Sequence, residues 1–132
     1  MTLSDEYSRT AQRSAEAADT LRGSGFQECA AFYSYHTFES IGSALIASRG
    51  QPVSSRHKAK INAFTNLSRG RSYNRTVAEL GQQLISLRNS FLYPVVQPGG
   101  ITSRPEDVLT VKQAEKLLKR VRGLVRRIKR DL

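Results

Sequence analysis

The chain has 132 residues, enough for one domain with one core and too few for two. Hydrophobic residues make up 39% of it and charged ones 24%, a balance that excludes a disordered chain. Lysine and arginine number 21 against 11 acidic residues, and the net charge of +10 points to a polyanionic partner.

Glycine and proline divide the sequence into five segments of helical periodicity, with no strand-like alternation. The first, Ser4 to Arg22, is alanine-rich and carries a weak apolar stripe through Tyr7, Ala11, Ala15, Ala18 and Leu21. The second, Phe26 to Ser48, is the most apolar and reads as the central helix, with Phe26, Ala30, Tyr33, Ile41, Ala44 and Leu45 on one face and Phe32 and Phe38 widening it. A shorter third, Ser55 to Leu67, repeats Ile61, Phe64 and Leu67 at three-residue steps. A fourth, with Asn74 or Ser72 as its cap, follows a stripe through Val77, Leu80, Leu84, Leu87 and Phe91 until Pro94 stops it. The last opens on a capping-box pattern, Thr110 with Gln113, and repeats Val111, Ala114, Leu118, Val121, Val125, Ile128 and Leu132 at steps of three and four.

The fold class expected from these elements is all-α, an antiparallel bundle of four to five helices in which the second, fourth and last stripes meet. Residues 1–132 form a single domain, with 1–14 an N-terminal extension of the first helix and 94–109 a loop before the basic C-terminal helix. The charge is uneven: residues 1–66 carry seven basic and six acidic side chains, whereas residues 67–132 carry fourteen and five. Around the last helix lie Lys112, Lys116, Lys119, Arg120, Arg122, Arg126, Arg127, Lys129 and Arg130, opposed within that span by Glu115 alone.

Cys29 is the only cysteine, which excludes an intramolecular disulfide and a cysteine-based zinc site. Two histidines, His36 and His57, leave little material for a metal centre, and neither is spaced to join Cys29 in one; no metal and no cofactor is expected. No apolar run approaches the ~20 residues that span a bilayer, and the N-terminal residues include Asp5 and Glu6 without an apolar signal core. A cytoplasmic protein without membrane contact is the expectation.

From Ala15 to Leu132 the order of features resembles the HEPN domain of prokaryotic toxin–antitoxin and defence proteins. The resemblance rests on the alanine-rich first helix and a turn with Gly25 and Phe26. It continues through the mixed small and aromatic run from Cys29 to His36, a loop with Gly50 and Pro52 leading to His57, and Leu87, Arg88 and Asn89 before a basic terminal helix. Active members of that family are metal-independent ribonucleases. Their signature is an arginine, often followed by asparagine, with a histidine four to six residues further on, and two chains usually pair so that both signatures line one cleft. Arg88 and Asn89 match the first part, but Tyr93, Pro94 and Val95 stand where the histidine belongs. Some members are silenced by a nucleotidyltransferase that adds AMP to a tyrosine two residues after the histidine, a place held here by Val95.

Metal-free RNA cleavage needs a base for the 2′-hydroxyl, a cation for the phosphorane and an acid for the leaving oxygen. A tyrosine with a pKa near 10 is deprotonated in about one molecule in a thousand at pH 7, and loss of a positioned base costs ~10²–10⁴ in rate. The favoured expectation is therefore a degenerate, non-catalytic HEPN domain that binds RNA or a partner, as a homodimer, in a defence or toxin–antitoxin setting. Its nucleic-acid contacts would be Arg88 and the nine cations of the last helix, with a cognate nucleotidyltransferase as a possible protein partner. The rival is a ribonuclease built on Arg88, Asn89, Tyr93 and His57, with its base drawn from His57 or Tyr93. A third reading is a scaffold that docks an acidic protein. The plain structural alternatives are that Arg88 pairs with a carboxylate such as Glu39, that Asn89 only bonds the helix end, that His57 only starts a helix, that His36 is a hydrogen-bonded core histidine, and that the last helix presents a solvated charged face.

Overall fold

Two capping boxes, one near each end of the chain, set the first and last helices. In the computed structural model, which describes residues 1–132, the Asp5 N–H donates to Thr2 Oγ1 at 3.1 Å while the Thr2 N–H donates to the Asp5 carboxylate at 2.8 Å, and α1 runs Leu3–Thr20. Thr110 and Gln113 repeat the arrangement as expected, with bonds of 3.1 and 2.9 Å, and start α6 at Val111–Lys129. Between them come α2 (Gln27–Ser48), α3 (His57–Leu67) and α4 (Asn74–Leu87), then a 3₁₀ turn over Asn89–Phe91, a small hairpin and a short helix, α5 (Pro105–Val108). The protein is all-α apart from that hairpin. No helix is long and apolar enough to cross a membrane.

The centre is α2, as its composition predicts. Every residue from Thr37 to Ile46 is buried, so this half of the helix is enclosed on all sides. It packs on α1, α3 and α6, while α4 packs on α3 and lines a groove with α6 through Leu80, Leu84, Leu87, Phe91 and Leu117. The second, fourth and last stripes do share one core, which includes Phe38, Ile41, Val77, Leu80, Leu84, Val121, Leu124 and Ile128. Each large apolar side chain buried there contributes ~1.5–3 kcal/mol. At its centre the Phe38 and Phe64 rings meet at 5.1 Å. A Cβ on Gly42 would run into the Phe64 ring, so glycine is what lets α3 lie this close to α2.

The weak stripe of α1 turns out to be a strong contact. Ala11, Ser14, Ala15 and Ala18 are buried, and small side chains let the two backbones approach closely enough for Ser4 Oγ to donate to the Ala44 carbonyl at 2.9 Å. Residues 3–14 are accordingly one continuous helix with the rest of α1, and within that span Ser4, Ala11 and Ser14 face the core.

Other expectations are corrected. Phe26 and Tyr33 were placed on the buried face of α2, yet they are exposed, while Tyr35 is fully buried. A helix surrounded at one end and open at the other has no single apolar face, so the best-fitting stripe picks the wrong side of its first turns. Val111 and Leu132 lie exposed, and Leu117 and Leu124 complete the α6 seam instead. Neither Asn74 nor Ser72 caps α4: Tyr73 holds that position without a side-chain bond, and Asn74 Nδ2 donates instead to Ser68 Oγ at 2.8 Å, tying α4 to the end of α3.

The stretch 94–109, expected as a loop, contains β1 (Val95–Gln97) and β2 (Gly100–Ser103), paired antiparallel about a two-residue turn at Pro98 and Gly99, and then α5. Gly100 sits at φ +116°, a conformation that excludes other residues there. Strands of three and four residues are too short to register as alternation. The Gln27 side chain donates to the Glu106 carbonyl at 2.7 Å and holds α5 against the start of α2.

Candidate functional site

The buried half of α2 carries one carboxylate, Glu39, only 6% exposed. A charge in that position requires partners, and three arrive from two helices. Tyr35, one turn earlier on α2, donates its hydroxyl to Glu39 Oε2. His57 Nδ1, at the start of α3, lies 2.7 Å from the same oxygen, and Lys60 Nζ lies 2.6 Å from Oε1. Helical spacing explains the convergence, because Tyr35 and Glu39 are four residues apart and His57 and Lys60 three, so each pair shares a face.

Burial by itself would raise the Glu39 carboxyl, but the bonds from Lys60, Tyr35 and His57 outweigh it and hold the pKa below the usual range. Burial and the bond to Glu39 push the Tyr35 phenol well above its ordinary value, so it remains a donor. With an ionised acceptor in front of it, His57 Nδ1 donates to Glu39. Tyr35 Oη also lies 3.2 Å from His57 Nδ1.

Arg88 closes the cluster from the end of α4. Its Cζ lies 5.8 Å from the Tyr35 ring centroid and 6.0 Å from that of Phe32, Nη1 donates to Asn89 Oδ1 at 3.0 Å, and Nε is buried with no acceptor. It pairs with no carboxylate, because both oxygens of Glu39 are already engaged by Lys60, His57 and Tyr35. The alternative in which Arg88 pairs with Glu39 is therefore excluded, and Arg88 is a cation lying over two rings without a counter-ion.

His36, expected as a hydrogen-bonded core residue, is half-buried and makes no hydrogen bond; it stacks on Phe32 at 6.4 Å. Burial, with the charges of Lys60, His57 and Arg88, lowers its pKa against the opposing pull of Glu39. Tyr93 is 62% exposed and its side chain joins none of these groups. The structure thus joins Arg88 to Asn89 directly and to His57 only through Tyr35, and leaves Tyr93 outside. Sequence reading missed Tyr35 and Lys60 and gave Glu39 only as a possible partner for Arg88. The available signal was Glu39, the one Asp, Glu, Lys or Arg side chain between Cys29 and Ser48 in the most apolar helix.

The α6 cations lie elsewhere and fall into two sets. Arg120 bonds Glu79 of α4, Arg122 lies 3.5 Å from Asp19 of α1, and Arg127 donates to the Ser72 carbonyl with its Cζ 6.0 Å from the Tyr73 ring. These flank the buried seam and staple α6 to its neighbours. Lys112, Lys116, Lys119, Arg126, Lys129 and Arg130 are exposed and make no ion pair. No three His, Cys, Asp or Glu side chains come together in the geometry of a metal site.

The HEPN domain family model matches residues 4–131, nearly the whole chain. No curated protein and no solved structure matches it.

Proposed function

The chain belongs to the HEPN domain family, whose domains are nuclease or RNA-binding-type modules, and from that premise we propose that it binds RNA at the Arg88 corner without cleaving it. The carrying observation is that the Arg88 guanidinium has no counter-ion. It is fixed on the faces of Phe32 and Tyr35, its Nε has no acceptor, and the nearest carboxylate is taken. A cation held in place without a counter-ion suits a phosphate, and a neighbouring exposed tyrosine, Tyr33, offers a ring to an unstacked base.

The exposed apolar side chains of Leu92, Tyr93, Val96 and Ile101, which follow Arg88 in the chain, suit a second copy that would cover them and bring two Arg88 corners to one cleft. We place the protein in the cytoplasm and in a defence or toxin–antitoxin setting, where a nucleotidyltransferase partner would fit. The test is anisotropy with labelled single-stranded RNA and tRNA at ~50 mM salt in metal-free buffer. Arg88→Ala weakens binding ~10–100-fold, the worth of a hydrogen bond to a charged group, and the RNA stays intact.

One observation favours the ribonuclease as a second reading. Glu39 Oε2 lies 2.7 Å from His57 Nδ1, the arrangement in which a carboxylate orients an imidazole for proton transfer, and the Tyr35 ring lies against both His57 and Arg88. Metal-independent cleavage abolished by both His57→Ala and Arg88→Ala would establish it and overturn the non-catalytic proposal.

A further inference from the structure

The Arg88 corner leaves most of the positive charge unused. On a helical projection of α6 the buried seam of Ala114, Leu117, Leu118, Val121, Leu124, Val125 and Ile128 covers one side. Directly opposite lie Lys112, Lys116, Lys119, Arg126 and Arg130, the middle of the outer face, whereas the tethered Arg120, Arg122 and Arg127 lie at its edges. Beside α1 this face forms an open basin of about 460 Å³, lined by six cations (Lys112, Lys116, Lys119, Arg126, Arg122 and Arg22) and one carboxylate, Glu115. It shares no residue with the Arg88 corner.

Arg126 lies in the last turn of α6, where the helix dipole favours a cation, but nothing in the fold asks for the lysines at the other end. Lys112 and Lys116 sit in the first turns of α6, at the positive end of the helix dipole, where acids stabilise and cations do not, and the first turn holds no acid. Lys112 and Lys116 are also like-charged neighbours at four residues, and Lys116 and Lys119 at three, spacings that disfavour the helix.

Gly123 lies between Lys119 and Arg126 on the same outer face. Its φ is unexceptional, and a Cβ there would meet nothing nearer than the Arg126 guanidinium at 3.8 Å. A glycine inside a helix that neither packing nor backbone conformation requires leaves room for something to approach the helix closely.

We propose that the outer face of α6 is a track for a phosphodiester backbone, separate from the Arg88 corner, with Lys112, Lys116, Lys119 and Arg126 as its phosphate contacts and Gly123 as the point of closest approach. From Lys112 to Arg126 the helix rises ~21 Å, at ~1.5 Å per residue, the axial length of about six nucleotides of one strand at ~3.4 Å each. The inference rests on the RNA-binding reading above and assigns a second, sequence-independent site to it.

The test measures RNA affinity as a function of salt by anisotropy for the whole protein and three variants. Replacing Lys112, Lys116, Lys119 and Arg126 together by Gln flattens the plot of log K against log salt by about 3, at ~0.7 per phosphate contact on a single strand. Arg88→Ala flattens it by only about 1. Gly123→Leu removes no charge and still lowers affinity, with the helical circular dichroism retained and the melting temperature no lower than the parent's. An unchanged slope in the quadruple variant, with affinity still dependent on Arg88, overturns the track and leaves the Arg88 proposal standing. Loss of binding in the quadruple variant, with Arg88→Ala binding like the parent, does the reverse. If polyglutamate competes as well as RNA of equal charge, the face is a dock for acidic protein and the track is overturned.

Discussion

At the corner where α2, α3 and α4 meet, each charge is answered by named atoms. Glu39 receives Lys60, His57 and Tyr35 at bonding distance, and Arg88 rests on two rings. Along the outer face of α6, five cations stand in water with no partner from the chain. The first region is costly to alter because its charges were removed from water on folding, and any lost partner leaves another stranded. The second is cheap to alter for stability, since its charges never left water, and expensive only for what it binds. The same residue types therefore carry opposite meanings, and burial is what separates them.

That contrast breaks if Glu39 proves dispensable. Glu39→Ala strands Lys60 and leaves the Tyr35 hydroxyl without its acceptor, and urea denaturation should show a loss of about 3–5 kcal/mol. A loss below about 1 kcal/mol would mean that the corner is as solvated as α6.

Acid probes the same corner without mutation. Because the folded Glu39 pKa lies below its ordinary value, its contribution is fully present above about pH 4.3, the unfolded value, and is lost as pH falls through the folded pKa. Parent protein should lose stability over that range, and Glu39→Gln should lose less, as read from melting temperatures between pH 6 and 3.

On α6 the effects are smaller and of the other sign. Gly123→Ala restores helix propensity at a site with room for a methyl group and should raise stability by about 1 kcal/mol. Lys116→Gln, on the same face, should change it by no more than about 0.5 kcal/mol. A large loss from either would show that the outer face packs against something within the molecule.

Much of the architecture was legible because it is written locally. The Thr110–Gln113 box, the seams of α4 and α6 and the apolar excess of α2 are each made by residues within a few turns of one another in the chain, and periodicity reports them directly. Arg88 and Asn89 were visible as a pair for the same reason. The cluster that gives them a setting was not, because Glu39 is separated from His57 by 18 residues and from Lys60 by 21, and only the packing of α3 on α2 brings them together. Tyr33 and Tyr35 could not be sorted from the stripe, since α2 is enclosed by several neighbours. The hairpin at Val95–Ser103 was hidden by its own shortness.

By itself the sequence determined the five long helical segments, the seam of α4 and most of that of α6, the capped start of α6 and the concentration of positive charge in the second half, because each follows from residue type at helical spacing. Only the tertiary structure decided which charges are spent inside the fold. Proximity across helices tied Arg120, Arg122 and Arg127 to their neighbours, the cost of burying an unpaired ion filled both oxygens of Glu39, and Arg88 and the outer face of α6 were left without a carboxylate from the chain.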